Sequence, residues 1–86
     1  MLEFRENLVL KKIESQFVLL DLDSGYYYSM NEVAGFITNE LRSRKSIEDI
    51  ISAICGRFKV SSEVAEKDVN NCINTLIDEE LVTRKD

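Results

Sequence analysis

From Leu8 to Met30 short apolar runs broken by polar turn residues have the pattern of strands, and from Asn31 onward the apolar residues repeat with the period of a helix. Three strands are predicted: Leu8-Val9-Leu10-Lys11-Lys12-Ile13, Gln16-Phe17-Val18-Leu19-Leu20-Asp21, and Tyr26-Tyr27-Tyr28-Ser29-Met30. Glu14-Ser15 is a short polar join between the first two. Asp21-Leu22-Asp23-Ser24-Gly25 supplies the turn before the third, with Gly25 free to take positive φ where the chain reverses. Connections this short make a meander, so the sheet is expected to be antiparallel. In the third strand, alternation puts Tyr26, Tyr28 and Met30 on one face and Tyr27 and Ser29 on the other. Met30 precedes a helix and belongs to the core, which turns Tyr28 inward and Tyr27 outward. A slip of one residue would exchange the two roles.

Asn31 is an N-cap, because its side-chain oxygen can accept from the free amides of the first turn, and Glu32 follows where the helix dipole favours an acid. The first helix is predicted to reach about Arg42, with Val33, Ala34, Ile37 and Leu41 at core spacing and Phe36 beside them. Gly35 inside it costs about 1 kcal/mol relative to alanine, which points to a close approach by a neighbouring element. Ser46-Ile47-Glu48-Asp49 resembles a capping box and opens a second helix with Ile47, Ile50, Ile51 and Ile54 as its stripe, ending at Gly56 near Phe58. Val60-Ser61-Ser62 opens a third, whose stripe of Ala65, Val69, Cys72, Ile73, Leu76 and Ile77 is the longest in the chain. Leu81 and Val82 are expected to fold back onto the core.

The order is βββααα, an α+β fold with a three-stranded antiparallel sheet followed by three helices. Everything after Asn31 reads as helix, so the third strand has no later partner and presents an open edge. Such an edge is either blunted or used.

At 86 residues the chain makes one domain, residues 1–86, since a second core could not be built from what one core leaves. No apolar run approaches the roughly 18–20 residues needed to span a bilayer, and Met1-Leu2-Glu3-Phe4-Arg5-Glu6 lacks the layout of a signal peptide. A cytoplasmic protein without a membrane partner is expected. Cys55 and Cys72 each fall on an apolar stripe, where a free thiol acts as a small hydrophobe, and the chain has no histidine to complete a zinc site. No metal site and no cofactor are expected. The net charge is −5, and residues 61–86 account for most of it, with seven acids against three bases. A phosphate backbone would be repelled there, whereas a partner carrying positive charge would be favoured.

Without histidine, a Gly-rich phosphate loop, CxxC or HExxH, the usual signatures of nucleophilic, phosphoryl or metal-assisted chemistry are missing. Asp21 and Asp23 sit in a tight turn, where aspartate serves backbone hydrogen bonding. Three short helices leave little room for a substrate pocket of several hundred Å³. A binding module is expected, not an enzyme.

The run Leu19-Leu20-Asp21-Leu22-Asp23-Ser24-Gly25-Tyr26-Tyr27-Tyr28-Ser29-Met30-Asn31-Glu32-Val33-Ala34-Gly35 resembles the core pattern of PqqD-like proteins, in which glycine, an aromatic, leucine-asparagine and a small residue join the last strand to the first helix. Ser46-Ile47-Glu48-Asp49-Ile50-Ile51, Phe58-Lys59-Val60 and Asp68-Val69 fall where that family has its second helix, its aromatic-x-valine loop and its third helix. Two positions depart: Met30 stands for the commoner leucine, and Glu80 stands where a glycine usually closes the third helix. The resemblance implies a RiPP recognition element, a winged-helix-like domain that binds the leader of a ribosomally made precursor peptide and presents it to a modifying enzyme. In such pathways that enzyme is a radical S-adenosylmethionine protein or, for lasso peptides, a leader protease. It further implies that the leader lies along the third strand and beside the third helix.

Under that reading the peptide-binding residues are Tyr26, Tyr27, Tyr28, Ser29 and Met30 on the strand, with Val64, Lys67, Asp68, Asn71 and Thr75 on the helix. Main-chain groups of the strand give affinity with little demand on sequence, and side chains give specificity. Two other classes stay open on the residues alone: a winged-helix DNA-binding regulator and a general protein adaptor. The former needs a basic third helix, and here Lys67 stands alone among Glu63, Glu66 and Asp68.

Overall fold

The computed structural model of the chain describes residues 2–84. Lys85 and Asp86, which enter the charge balance of the C-terminal stretch, lie outside the described residues. The sheet runs β2 (Leu8–Ile13), β3 (Gln16–Asp21) and β4 (Tyr27–Met30), followed by α1 (Glu32–Arg42), α2 (Ile47–Phe58) and α3 (Ser62–Asp78). Two further strands that the pattern did not predict, β1 (Leu2–Phe4) and β5 (Val82–Arg84), pair antiparallel as a separate two-stranded sheet. The helical reading of everything beyond Asn31 is therefore corrected at Val82. The open edge is not affected, because β5 pairs with β1 and not with β4.

The three-stranded sheet has the order β2-β3-β4, antiparallel throughout, as the short connections require. In β4, Tyr28 stands opposite Leu19 and Met30 opposite Phe17. Tyr28 and Met30 pack against the core, while Tyr27 and Ser29 are exposed, which is the facing that the alternation predicts. Tyr26 differs from expectation: it precedes the strand and is 69 % exposed. Leu19, fully buried at the centre of β3, supports the sheet from within, a burial of about 1.5–3 kcal/mol for a side chain of that size.

The β3–β4 turn is organised by Asp21. Its carboxylate is buried, accepts from the Ser24 hydroxyl at 2.9 Å and the Asp23 amide at 3.0 Å, and pairs with Arg5. Burial alone would push this carboxyl up. The bonds from Ser24 and from the Asp23 and Ser24 amides, together with the Arg5 charge, outweigh that and hold it below the ordinary aspartate value. Gly25 takes φ +80, as a reversal needs.

Each helix opens on a side-chain cap: Asn31 accepts from the Ala34 amide at 2.8 Å, Ser46 from Asp49 at 3.1 Å, and Ser61 from Val64 at 3.2 Å. The second helix does not stop at Gly56. It runs to Phe58 and is closed by Lys59 in the left-handed region, φ 54. A Cβ on Gly56 would touch nothing, so this glycine marks no boundary. Gly35 behaves as expected of a close approach, because a Cβ there would overlap the Phe17 ring of β3. The core gathers Leu19, Ile37, Ile50, Ile54, Val69, Ile73, Leu76, Leu81 and Val82 between sheet and helices. Phe36 and Phe58 meet edge to face at 5.8 Å with the Arg57 guanidinium over both rings.

Candidate functional site

The outer edge of β4 can be read group by group. The Asp21 amide donates to the Tyr26 carbonyl at 2.9 Å, and antiparallel pairs alternate between bonded and non-bonded residues. With the register Leu20 to Tyr27 and Phe17 to Met30, the main-chain groups of Tyr28 and Met30 face β3. Those of Tyr27 and Ser29 face away from the sheet. The available donors and acceptors are thus narrower than the whole Tyr26–Met30 run that the sequence suggests. No strand among the described residues pairs with this edge.

Beside the edge lies a groove of about 450 Å³, bounded by Ser29 and Met30 of β4, by Asn31, Val33, Ala34 and Ile37 at the start of α1, and by Asp68, Asn71, Cys72, Thr75 and Leu76 of α3. The expectation that the three helices leave little room for a space of several hundred Å³ is overturned. The reason is local: Asn31 turns the chain straight from strand into helix, and α1 faces α3 there with Ala34 and Cys72, side chains too small to fill the gap. The volume falls within the usual 300–1,000 Å³ of ligand sites, and the groove is partly open to solvent rather than enclosed.

The floor is apolar and sulfur-rich. Thr38, fully buried, donates its hydroxyl to the Ala34 carbonyl at 2.8 Å and lies 3.4 Å from Met30 Sδ and 3.5 Å from Cys72 Sγ. Burial pushes the Cys72 thiol up, against a smaller lowering by Thr38, so Cys72 is a neutral packing group at ordinary pH. Cys55 is half-buried, and both thiols are free. The rim on α3 is polar, with Asp68, Asn71 and Thr75 spaced three and four residues apart along one line of the helix. Asp68 is the one charged side chain among the described residues of the lining.

Of the residues singled out in the sequence, Ser29, Met30, Asp68, Asn71 and Thr75 come together in the groove. Tyr27 presents its main chain at the edge and its ring to solvent, and Tyr28 turns into the core. Tyr26 lies in the turn, its amide accepted by Ser24 Oγ at 3.2 Å. Val64 is 45 % exposed on the same line of α3 as Asp68, one turn before the groove. Lys67 sits on the neighbouring face, in a shallow depression with Glu63, Glu66 and Asn70. Sequence reasoning passed over Val33, Ala34, Ile37, Cys72 and Leu76 as groove residues, having assigned them to the core. The signal was the polar line 68-71-75 running next to the buried stripe 65-69-72-76. Among the described residues, no three His, Cys, Asp or Glu side chains are placed to hold a metal ion.

A sheet whose edge strand β4 is flanked by a partly open, apolar-floored groove defines a class: small α+β domains able to accept an extended chain. The chain belongs to the PqqD family, whose model, described as Coenzyme PQQ synthesis protein D, matches residues 16–82. Two solved structures are similar over nearly the full length. One, described as TbiB1 in complex with the TbiA(beta) leader peptide, is 27 % identical with a TM-score of 0.82, covering 98 % of each chain. The other, a lasso peptide synthetase B1 complexed with the leader peptide, is 23 % identical with a TM-score of 0.83, covering 96 % of this chain and 98 % of that one, and shares the fold. No curated protein matches.

Proposed function

We propose that residues 1–86 act as one peptide-binding domain that takes the leader segment of a ribosomally made precursor peptide as an added strand on β4. The observation that carries this reading is the juxtaposition of the outward main-chain groups of Tyr27 and Ser29 with the groove between α1 and α3. The family match and the likeness to a protein solved with a leader peptide support it.

Magnitudes explain why edge and groove belong together. Each of Tyr27 and Ser29 offers one donor and one acceptor, and a net hydrogen bond is worth about 0.5–1.5 kcal/mol. Association costs about 4–15 kcal/mol in lost freedom, so the ladder alone does not give a stable complex. Apolar burial in the groove, at about 25 cal/mol per Å², supplies the remainder. Tyr26 and Tyr28 act by shaping the turn and the core beneath the edge, while Ser29, Met30, Asp68, Asn71 and Thr75 meet the ligand. Val64 extends the rim, and Lys67 and its acidic neighbours form the adjoining surface.

The protein is then a binding component, not an enzyme, presenting the leader to a modifying enzyme such as a radical S-adenosylmethionine protein or a leader protease in the cytoplasm. No helix among the described residues is long and apolar enough to cross a membrane. Its α3, with Glu63, Glu66, Asp68 and Asp78 against Lys67, repels a phosphate backbone. Fluorescence polarisation of a labelled precursor leader peptide is expected to show saturable binding with a modest salt slope. A labelled DNA duplex in the same buffer is expected to show none; tight duplex binding that weakens steeply with salt would overturn the reading.

A further inference from the structure

We propose, resting on the leader-peptide reading above, that the groove selects a segment carrying Lys or Arg opposite Asp68, an even number of residues from an apolar side chain seated on the floor. Side chains of an added strand alternate, and those that continue the face of Tyr28 and Met30 project toward α3. Successive members of that set meet two different surfaces. Met30, Ile37 and Cys72 make an apolar floor with its sulfurs neutral and the buried Thr38 hydroxyl beside them already bonded to a carbonyl. An aliphatic or aromatic group fits there, and a charge would be stranded.

Asp68 stands on the rim. Its carboxylate accepts only, and it makes no hydrogen bond or ion pair with any described residue. Lys67, the one base of α3, points along another face with Glu63 and Glu66. The helix therefore offers a partly buried acid with its pairing capacity unused, in a field of the same sign from its own neighbours. A cation on the incoming strand completes that site, and an acid at the same position is repelled, so the pairing discriminates more than it binds.

The test uses the full chain as bait for a phage-displayed library of random dodecapeptides. Selected peptides are resynthesised and titrated against wild type, Ser29→Pro, Asp68→Asn and Asp68→Lys, each checked for fold by circular dichroism. The expected peptides share Lys or Arg at even spacing from an apolar residue and lose binding to Ser29→Pro. Exchanging their base for Gln is expected to weaken binding roughly fivefold in wild type and to have no effect with Asp68→Asn. In Asp68→Lys, peptides with Glu in place of the base are expected to bind better than the originals. Peptides that need the β4 edge but ignore the charge at residue 68 would overturn the inference and leave the leader reading standing. Selected peptides indifferent to Ser29→Pro would overturn both.

Discussion

The two outer strands of the sheet, β2 and β4, flank the same β3, and chemistry has treated them in opposite ways. The Leu22 amide donates to the Asn7 carbonyl at 2.9 Å, so by alternation the groups of Leu8, Leu10 and Lys12 face outward on β2. There the Leu8 carbonyl is taken by the Arg42 guanidinium at 3.0 Å, and Lys11 and Lys12 put charge on the far half, Lys12 lying 5.9 Å from the Phe17 ring. Capping and lysine are familiar ways of protecting an edge. β4 has neither. Its outward residues are Tyr27 and Ser29, uncharged, and what lies beside them is a groove instead of a guard. An edge left open next to apolar relief is what the proposed docking of a leader requires.

The strongest way to break this comparison is to disable each edge in turn with proline. Ser29→Pro removes an outward amide without touching the bonds to β3 and should cut leader affinity by ten- to a hundredfold, about 1–3 kcal/mol, with an unchanged circular dichroism spectrum. Lys12→Pro, the corresponding change on β2, should leave leader affinity intact in the same titration. Equal losses from both would mean that the edges are not distinguished.

Smaller is the effect expected at Gly35, which lets α1 sit directly on Phe17, opposite Met30 in the register. An alanine there collides with the ring at a cost of about 1–3 kcal/mol, offset by up to about 1 kcal/mol of helix propensity. Urea unfolding should show a net loss of about 1–2 kcal/mol, and leader affinity should fall because the end of β4 moves. An unchanged midpoint would show that Phe17 yields freely.

The smallest change comes from acid. Asp21 is held below its unfolded value, so the stability it contributes is present above about pH 4 and is lost as pH falls toward its folded value. The β3–β4 turn should loosen in that window, lowering the thermal midpoint. Asp21→Asn should be less stable at neutral pH and show less change between pH 5 and pH 3.

The contrast between these edges was half legible in the sequence. The alternating facing of Tyr27–Met30 specifies the register, because a slip would bury Tyr27 and Ser29 and expose Met30. Asn31 and the Ser46 capping box declared themselves as helix starts, and both side chains cap. The groove was not legible, since its depth depends on how far apart α1 and α3 stand, and Ile37, Cys72 and Leu76 carry the same pattern whether they fill a core or floor a cleft. The β1–β5 pair was hidden for another reason. Strands of three residues at opposite ends of the chain, Leu2–Phe4 and Val82–Arg84, are too short to show a period. At the close of α3, Glu80 takes φ 59, a left-handed geometry that glycine meets at no steric cost. Its position follows the family pattern even though its residue type does not.

The bond from Arg42 to the Leu8 carbonyl has a consequence for how copies of this chain behave when concentrated. A monomer with two reactive ends polymerises, whereas one with a single reactive end can only couple once. With the Leu8 end of β2 capped and Lys12 on its far half, the three-stranded sheet keeps β4 as its one ready edge, the valence of a chain terminator. Two copies that meet through β4 would each use up that edge, so association through this sheet is expected to stop at a pair. A leader docked on β4, as proposed, would occupy that same edge and compete with a second copy for it.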